Sequence, residues 1–169
     1  MPRDYTKAAY WYRKAADQGD ADAEFNLGIL YFNGYGMPKN YNQAAYWYKK
    51  SAAQGDVRAE LNLGMLCDYY GPASLRNYVK AAYWYKKAAA HNNILADIDL
   101  SVLYSRGQGL PKNYIAAYKW CLLAKLSAGP RNSMYNDIIR IMSNLAYHMK
   151  PKQIEKARNA AVHYKLHLQ

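Results

Sequence analysis

Small and apolar side chains recur along this chain at the spacing of one face of an α-helix. After Asp20 they stand at positions i, i+4, i+5 and i+8, as Ala23, Leu27, Gly28 and Tyr31. The pattern returns twice, as Ala59, Leu63, Gly64 and Cys67 and then as Ala96, Leu100, Ser101 and Tyr104. We call each of these predicted segments helix A. The residues placed to cap their N-termini are Asp20, Asp56 and Asn93.

A second predicted helix, helix B, alternates with helix A. Each copy opens with a tyrosine that directly follows a capping Asp or Asn. The tyrosines are Tyr5, Tyr41, Tyr78 and Tyr114, and the caps are Asp4, Asn40, Asn77 and Asn113. Successive tyrosines are 36, 37 and 36 residues apart, and a tryptophan follows each of them after six residues. A fixed period of this length predicts an all-α solenoid of stacked antiparallel helix pairs.

Aligning the copies divides the chain into repeat units. A half unit at 4–20 precedes full units at 21–56, 57–93 and 94–129, so the predicted array spans residues 1–129. Gly- and Pro-containing loops, such as Gly34 to Pro38 and Gly107 to Pro111, separate helix A from the helix B that follows. The third unit is one residue longer and lacks the Gly-x-Gly loop.

Residues 130–169 are predicted to form two capping helices. The first carries an apolar stripe, and the second begins at Pro151, since proline favours the first turn of a helix. The second is predicted to turn Ile154, Ala157, Ala161, Tyr164 and Leu168 inward. A solenoid needs such a polar-faced cap for solubility.

The N-terminal end shows no equivalent cap, because the chain opens with a helix B that no helix A precedes. One explanation is a trimmed chain or a missing short helix. The other is a homodimer in which the N-terminal helix packs against a second copy through Tyr5, Ala9, Trp11 and Tyr12.

The repeat resembles the Sel-1-like repeat, a relative of the tetratricopeptide repeat. The matching residues are Ala23-Glu-Phe-Asn-Leu-Gly-Ile-Leu-Tyr31, Gly34-x-Gly36, Tyr41, Ala44-x-x-Trp47-Tyr48 and Ala52-Ala-Gln-Gly55. The resemblance covers about three and a half repeats. It implies a right-handed α-α superhelix whose A helices line the concave side. It also implies a scaffold or adaptor role, often in bacterial signalling, envelope processes or host interaction.

Composition narrows the possible partners. The formal charge is +11, from 23 Lys and Arg against 12 Asp and Glu, which would attract nucleic acid or an anionic surface. The basic residues are spread out, so this attraction is the less favoured reading. No apolar run is long enough to span a bilayer. We expect a cytoplasmic location by default, while a periplasmic or secreted one stays open in case an N-terminal signal is missing from the chain.

The sequence gives little support to an enzyme or a metalloprotein. No HExxH, Walker-A, GxSxG or CxxC motif occurs, so we predict no catalytic residues, no metal and no cofactor, and a hydrolase stays a remote alternative. The four histidines are not spaced with carboxylates as metal ligands. Cys67 and Cys121 align with tyrosines of other units, which predicts two buried, reduced thiols.

A partner surface is predicted beside the core stripe of helix A, on the concave side. Its positions vary between units while the core positions do not, so packing does not dictate them. The predicted contact residues are Asp22, Asn26, Ile29, Asn33, Arg58, Asn62, Met65, Tyr69, Leu95, Asp99 and Val102. The amides of Asn26 and Asn62 could form a ladder that pairs with a peptide backbone. The alternative is that these are ordinary solvated helix positions.

A second stripe is predicted on helix B, on the convex side. Each of its tyrosines stands four residues before a lysine, and the pairs are Tyr10 and Lys14, Tyr46 and Lys50, and Tyr83 and Lys87. The stripe could be packing alone, or it could bind an acidic protein or single-stranded nucleic acid. Eight of the twelve acidic residues lie on or beside helix A, which predicts a more acidic concave side. We therefore favour a non-enzymatic adaptor that holds a protein or peptide there.

Overall fold

The computed structural model of the protein describes residues 4–167, and within that range it is all-helical. Its helices are α1 (Tyr5–Ala16), α2 (Ala21–Asn33), α3 (Tyr41–Ala53), α4 (Val57–Met65), α5 (Tyr78–Ala90), α6 (Ile94–Arg106), α7 (Tyr114–Ala128), α8 (Tyr135–Tyr147) and α9 (Pro151–Leu166). A π-helical segment, Leu66–Tyr70, continues α4. The described residues form two compact units, 4–77 and 78–167. Leu168, predicted to face inward, lies outside the described residues.

Side-chain caps fix where most of these helices begin. Asp20 accepts a hydrogen bond from the backbone N–H of Ala23 at 2.7 Å, and Asn40 accepts one from Gln43 at 3.0 Å. The same bond is made by Asp4, Asp56, Asn93 and Asn113. These bonds satisfy N–H groups that have no partner inside the helix. The predicted starts of helices A and B are confirmed at these six positions.

Two glycines allow the loop after helix A to lie against a neighbouring helix. Gly36 has a φ of +71°, and a Cβ there would lie 2.5 Å from the backbone carbon of Tyr5. Gly109 has a φ of +67° and is in the same position against the backbone of Tyr78. Both positive φ and missing side chain are therefore needed at the second glycine of the Gly-x-Gly loop.

The third repeat accommodates its extra residue without shifting helix B. In the second and fourth repeats the backbone N–H of the cap, Asn40 or Asn113, donates to the carbonyl of Tyr31 or Tyr104, at 2.8 and 2.9 Å. In the third repeat Asn77 donates in the same way to Cys67 at 2.8 Å. The π-helical turn lies between these points, and a π turn holds one residue more than an α turn. The insertion is absorbed there.

The core of the first unit lies between its helix pairs. Ala16, Ala23, Leu27 and Trp47 form one buried cluster, against which Tyr12 and Tyr31 pack. The guanidinium of Arg13 lies 5.4 Å from the Trp47 ring and donates a hydrogen bond to the Tyr31 hydroxyl. Small residues on α1 and α2 let the helices approach closely enough for the indole to fill the remaining space.

The second unit is closed by α8 and α9, which both pack on α7. Its buried cluster joins Cys121 of α7 to Ile138 and Met142 of α8 and to Ala157 of α9. Tyr164 meets Trp120 edge to face, with ring centroids 5.0 Å apart. Of the inward positions predicted for α9, Ala157 and Ala161 are buried, whereas Ile154 and Tyr164 are partly buried.

The prediction that both thiols are buried is wrong for one of them. Cys121 is buried, but Cys67 is partly exposed, as are Tyr31 and Tyr104 at the equivalent position of the other repeats. Trp47 and Trp120 are buried, whereas Trp11, predicted to meet a second copy, is 63% exposed. Of the other three residues predicted to meet a second copy, Ala9 is buried, Tyr5 stacks on Tyr35 at 4.6 Å, and Tyr12 packs on the core.

The helix-A side also exposes fewer acidic side chains than predicted. Glu24, Glu60 and Asp97 occupy the same position in three successive repeats, and they are 1%, 4% and 2% exposed. Glu24 is held inside the first unit by Lys50, at 3.1 Å, and by Gln54, at 2.8 Å. Three of the eight acidic side chains therefore lie in the interior and contribute little to the surface.

Candidate functional site

A small cavity lies between α2, α3, α4 and the π-helical segment in the first unit. Its volume is about 170 Å³. Its lining residues are Ile29, Phe32, Asn33, Tyr48, Asn62, Met65 and Tyr70. Four of the predicted contact residues, Ile29, Asn33, Asn62 and Met65, are thereby brought together. We call this site the α2–α4 cavity.

The walls of the α2–α4 cavity differ in chemistry. Ile29, Phe32 and Met65 are partly buried apolar side chains, and Tyr48 of α3 is fully buried. Burial raises the pKa of Tyr48, and the Asn62 side chain beside its hydroxyl acts in the opposite direction. The cavity therefore combines an apolar interior with amide groups.

A second cavity lies between α1, α2 and the loop after α2. It has a volume of about 520 Å³. Its lining residues are Asp4, Tyr5, Ala8, Tyr12, Asn26, Ile29, Leu30 and Tyr35. We call it the α1–α2 cavity. Ile29 borders both cavities, so the two form neighbouring depressions on either side of one turn of α2.

The two amides of the predicted ladder line neighbouring cavities. Asn26 lines the α1–α2 cavity and Asn62 the α2–α4 cavity. Asn26 donates to the backbone oxygen of Asp22 at 2.8 Å, and Asn33 donates to that of Ile29 at 3.0 Å. An amide that donates one N–H to its own helix retains a second N–H and an acceptor oxygen. Each asparagine can thus still bind a partner, but separately.

Arg58 braces the two A helices of the first unit. Its guanidinium binds Asp22 of α2 and Asp56, the cap of α4, the latter at 2.7 Å, and it lies 4.3 Å from the Phe25 ring. The hydrogen bonds that Arg58 donates to Asp56 and Asp22 raise the pKa of its guanidinium. Burial acts to raise the pKa of Asp56, but the bonds and charge of Arg58 outweigh it and lower that pKa. Asp22 and Arg58 are therefore structural partners first.

Aromatic rings extend the α2–α4 cavity toward the π-helical segment. Phe32 meets Tyr41 and Tyr70 edge to face, at 5.5 and 5.3 Å, and Tyr70 lies 4.5 Å from Tyr69. Tyr69 and Tyr70 are nearly half exposed. Phe32 is not among the contact residues predicted from the sequence. The signal was present, since the equivalent positions hold Asp68 and Ser105.

The remaining predicted residues of helix A belong to the second unit. Leu95, Asp99 and Val102 lie on α6, where Leu95 is 43% exposed and the other two are partly buried. They are not among the residues that line the two cavities of the first unit. The structure thus brings together only part of the predicted surface.

The second unit has its own cavity, of about 400 Å³, between α6, α7 and α8. Several of its polar groups are already engaged. Arg140 binds Asp137 at 3.0 Å, Ser105 donates to the backbone oxygen of Val102 at 2.9 Å, and His148 stacks on Tyr114 at 5.2 Å. None of the predicted contact residues lines this cavity.

The predicted pairs on helix B are present in the structure. Ammonium–ring distances are 4.9 Å for Lys14 and Tyr10, 6.0 Å for Lys50 and Tyr46, and 5.7 Å for Lys87 and Tyr83. The three tyrosines are 54%, 52% and 53% exposed. Each lysine also lies over the adjacent tryptophan, and Lys50 binds Glu24. These lysines therefore have structural roles on helix B.

The buried Cys121 thiol does not have the environment of a catalytic nucleophile. Burial raises the pKa of Cys121 to about 12, which keeps its thiol protonated. Within residues 4–167 no three His, Cys, Asp or Glu side chains are grouped to hold a metal ion. Nor does that range contain a helix with the length and hydropathy needed to span a membrane.

Comparison with known proteins agrees with the repeat architecture. The model of the Sel1 repeat matches residues 1–20, 21–56, 57–93 and 94–126. A Sel1 repeat protein from Oxalobacter formigenes is similar in structure, with a TM-score of 0.64 and 26% identity over 79% of this chain and 95% of its own. No curated protein matches the sequence.

A longer protein shares the same fold. The chain is similar to a protective antigen of uropathogenic Escherichia coli that displays an SLR fold, with a TM-score of 0.64 and 27% identity. The match covers 92% of this chain and 40% of the antigen, so the chain spans less than half of the antigen's length. These likenesses confirm the predicted solenoid class of the fold.

Proposed function

Because the chain belongs to the Sel1 repeat family, whose members are generally protein–protein interaction scaffolds and typically not enzymes, we propose that it is a non-enzymatic adaptor. It binds an extended protein segment on the helix-A side of the first unit. The observation that carries this proposal is the α2–α4 cavity, where Ile29, Asn33, Asn62 and Met65 meet.

The chemistry of the cavities indicates the kind of segment. A volume of about 170 Å³ holds one apolar side chain, which Ile29, Phe32 and Met65 would contact. The larger α1–α2 cavity is adjacent, across Ile29, and would take a second side chain. Asn33 and Asn62 would pair with the backbone between these anchors, since amides both donate and accept. The partner is therefore a segment with two apolar anchors.

The proposal is tested by selecting peptides that bind the full chain from a random library. Nuclear magnetic resonance then maps the bound peptide on the protein. We expect the largest amide shifts at Ile29, Asn33 and Met65. Shifts confined to α1 and α3 residues such as Tyr10 and Lys50 would contradict the proposed surface.

A second candidate, binding of nucleic acid or an anionic surface, rests on the half-exposed rings of Tyr10, Tyr46 and Tyr83. Stacking of bases on such rings is tolerant of sequence. It would show as binding to single-stranded RNA with a steep dependence on salt. Lys50 weakens this candidate, because its charge is already compensated by the buried Glu24.

A further inference from the structure

Two histidines at the C-terminal end of α9 point their rings at each other. His163 and His167 are one helical turn apart, and both are exposed. Their Nε2 atoms lie 3.0 Å apart, and their ring centroids are separated by 4.3 Å at an angle of 79°. Two neutral imidazoles can occupy this arrangement only by sharing a proton between the two nitrogens.

We propose that His163 and His167 form a chelating site for a divalent transition-metal ion. A metal ion would take the place of the hydrogen bond and bind both Nε2 atoms, while the proton of that bond moves to Nδ1 of its own ring. Two nitrogens that are each about 2.1 Å from a metal, at right angles to one another, are about 3.0 Å apart. The observed separation of 3.0 Å therefore fits two neighbouring positions of one coordination sphere.

The ligand set indicates which metals the site takes. Imidazole nitrogens suit Cu²⁺, Ni²⁺ and Zn²⁺, and affinity rises toward Cu²⁺ in the usual order for such sites. The described residues provide no group of three His, Cys, Asp or Glu that could hold a metal. Water would fill the other positions, so this is an open site of moderate affinity and not a closed structural zinc site.

The surroundings of the pair favour a cation. His163 and His167 lie in the last turn and at the C-cap of α9, where the partial negative charge of the helix end stabilises positive charge. The flanking side chains Val162 and Leu166 are uncharged, at 58% and 66% exposed. Lys165, between the two histidines in sequence, lies close enough to the buried Asp97 to lower the pKa of that carboxyl.

Chelation across one turn requires that the turn be helical. A bound metal would therefore stabilise the end of α9, the segment that carries Tyr164 against Trp120. The spacing of the histidines relative to carboxylates does not reveal this site. Spacing at i and i+4 is the signal that could have revealed it.

The test is a calorimetric titration in which Ni²⁺ is added to the tag-free chain. It is run near neutral pH, where imidazole is mostly deprotonated. We expect one ion per chain. His163→Gln and His167→Gln should each lower the affinity by roughly 100-fold, because a single imidazole loses the chelate effect. His91→Gln and His148→Gln are the matched controls and should leave the affinity unchanged.

A spectroscopic measurement guards against binding elsewhere on the chain. Paramagnetic Ni²⁺ should broaden the ring signals of His163 and His167 before those of His91 and His148. The proposal is overturned if all four rings broaden together. It is equally overturned if neither α9 variant weakens binding, since the pair would then be a hydrogen bond only.

Discussion

At the scale of single residues, the repeat fixes some side chains through contacts that only the structure reveals. Gly28 is one of them: a Cβ there would lie 2.5 Å from Cε1 of the fully buried Tyr48 ring. Periodicity places Gly28 on the core face of helix A. It does not say which ring the glycine admits, because that ring comes from the following helix B.

Gly28→Ala should therefore destabilise the protein although alanine favours helices. The gain in helix propensity is about 1 kcal/mol, whereas overpacking a core costs about 1–3 kcal/mol, so we expect a net loss. Urea unfolding measures it. In a background with Tyr48→Leu the loss should shrink, because the smaller side chain makes room. Equal losses in both backgrounds would contradict the contact.

Asp97 is a second residue whose behaviour depends on its surroundings. In the second repeat the buried Glu24 has Lys50 as its partner, but the fourth repeat holds the buried Leu123 at the lysine position. Burial raises the pKa of Asp97 to about 8, opposed by Lys119 of α7 and Lys165 of α9. Its Oδ1 has no hydrogen-bond partner among the described residues.

This arrangement predicts that stability falls as pH rises from about 4 to about 8. In that range the folded protein holds a proton on Asp97 that the unfolded chain has lost, so each rise in pH favours unfolding. Burial also lowers the pKa of Lys119, and a lysine with a lowered pKa contributes in the opposite direction, because the unfolded chain then binds more protons.

Asp97→Asn should flatten this part of the pH dependence, because a neutral amide cannot lose the proton. The check is the free energy of unfolding at several pH values between about 5 and 8. Asp137→Asn, on the surface of α8, is the matched control and should follow the unsubstituted protein. A parallel decline in Asp97→Asn and the unsubstituted protein would show that Asp97 is not the cause.

At the scale of elements, the sequence was most informative about helix starts. An Asp or Asn before each periodic tyrosine is a local signal, and the cap bond it makes is also local, so no tertiary information is needed. The π-helical segment was not predictable in the same way. Its length depends on the hydrogen bond that the backbone N–H of Asn77 donates to the carbonyl of Cys67. That bond is a constraint from outside the helix.

The candidate site shows the same limit. Variation between repeats identified Ile29, Asn62 and Met65 as surface positions, and they meet in one cavity. It could not show that Arg58 is held by Asp22 as well as by the nearby Asp56, since the bond to Asp22 depends on how α2 and α4 pack. The sequence thus indicates the region of the site but not which of its polar groups already form hydrogen bonds or ion pairs.

The caps also lead to a comparison between elements. Asp56 caps α4, accepts hydrogen bonds from Arg58 and accepts one from Ser51 at 3.1 Å, whereas Asn40 caps α3 through Gln43. Asn40→Ala should cost about 1 kcal/mol, the usual value of a cap. Asp56→Ala should cost about 2–3 kcal/mol, since charged partners lose their bonds as well. Chemical denaturation of the two variants measures each loss in the free energy of unfolding. Equal losses would contradict a stabilising role for the bonds that Asp56 accepts from Arg58 and Ser51.

At the scale of the whole molecule, helix A and helix B of the repeat differ in the groups that they carry. Helix B supplies lysines and aromatic rings that pair with each other and, at Lys50, with a buried carboxylate. Helix A of the first unit lines the two cavities and carries the amide groups of Asn26, Asn33 and Asn62. The central claim is that a partner segment binds the helix-A side.

The most direct test compares two exposed asparagines of the first unit. Asn33 lines the α2–α4 cavity, while Asn42 lies in the first turn of α3 and lines neither cavity of this unit. Affinity is measured for a peptide selected against the unsubstituted chain. We predict that Asn33→Arg lowers it by at least about tenfold, a loss of about 1.4 kcal/mol, while Asn42→Arg leaves it unchanged. Equal affinities for the two variants, or a loss confined to Asn42→Arg, would contradict the claim.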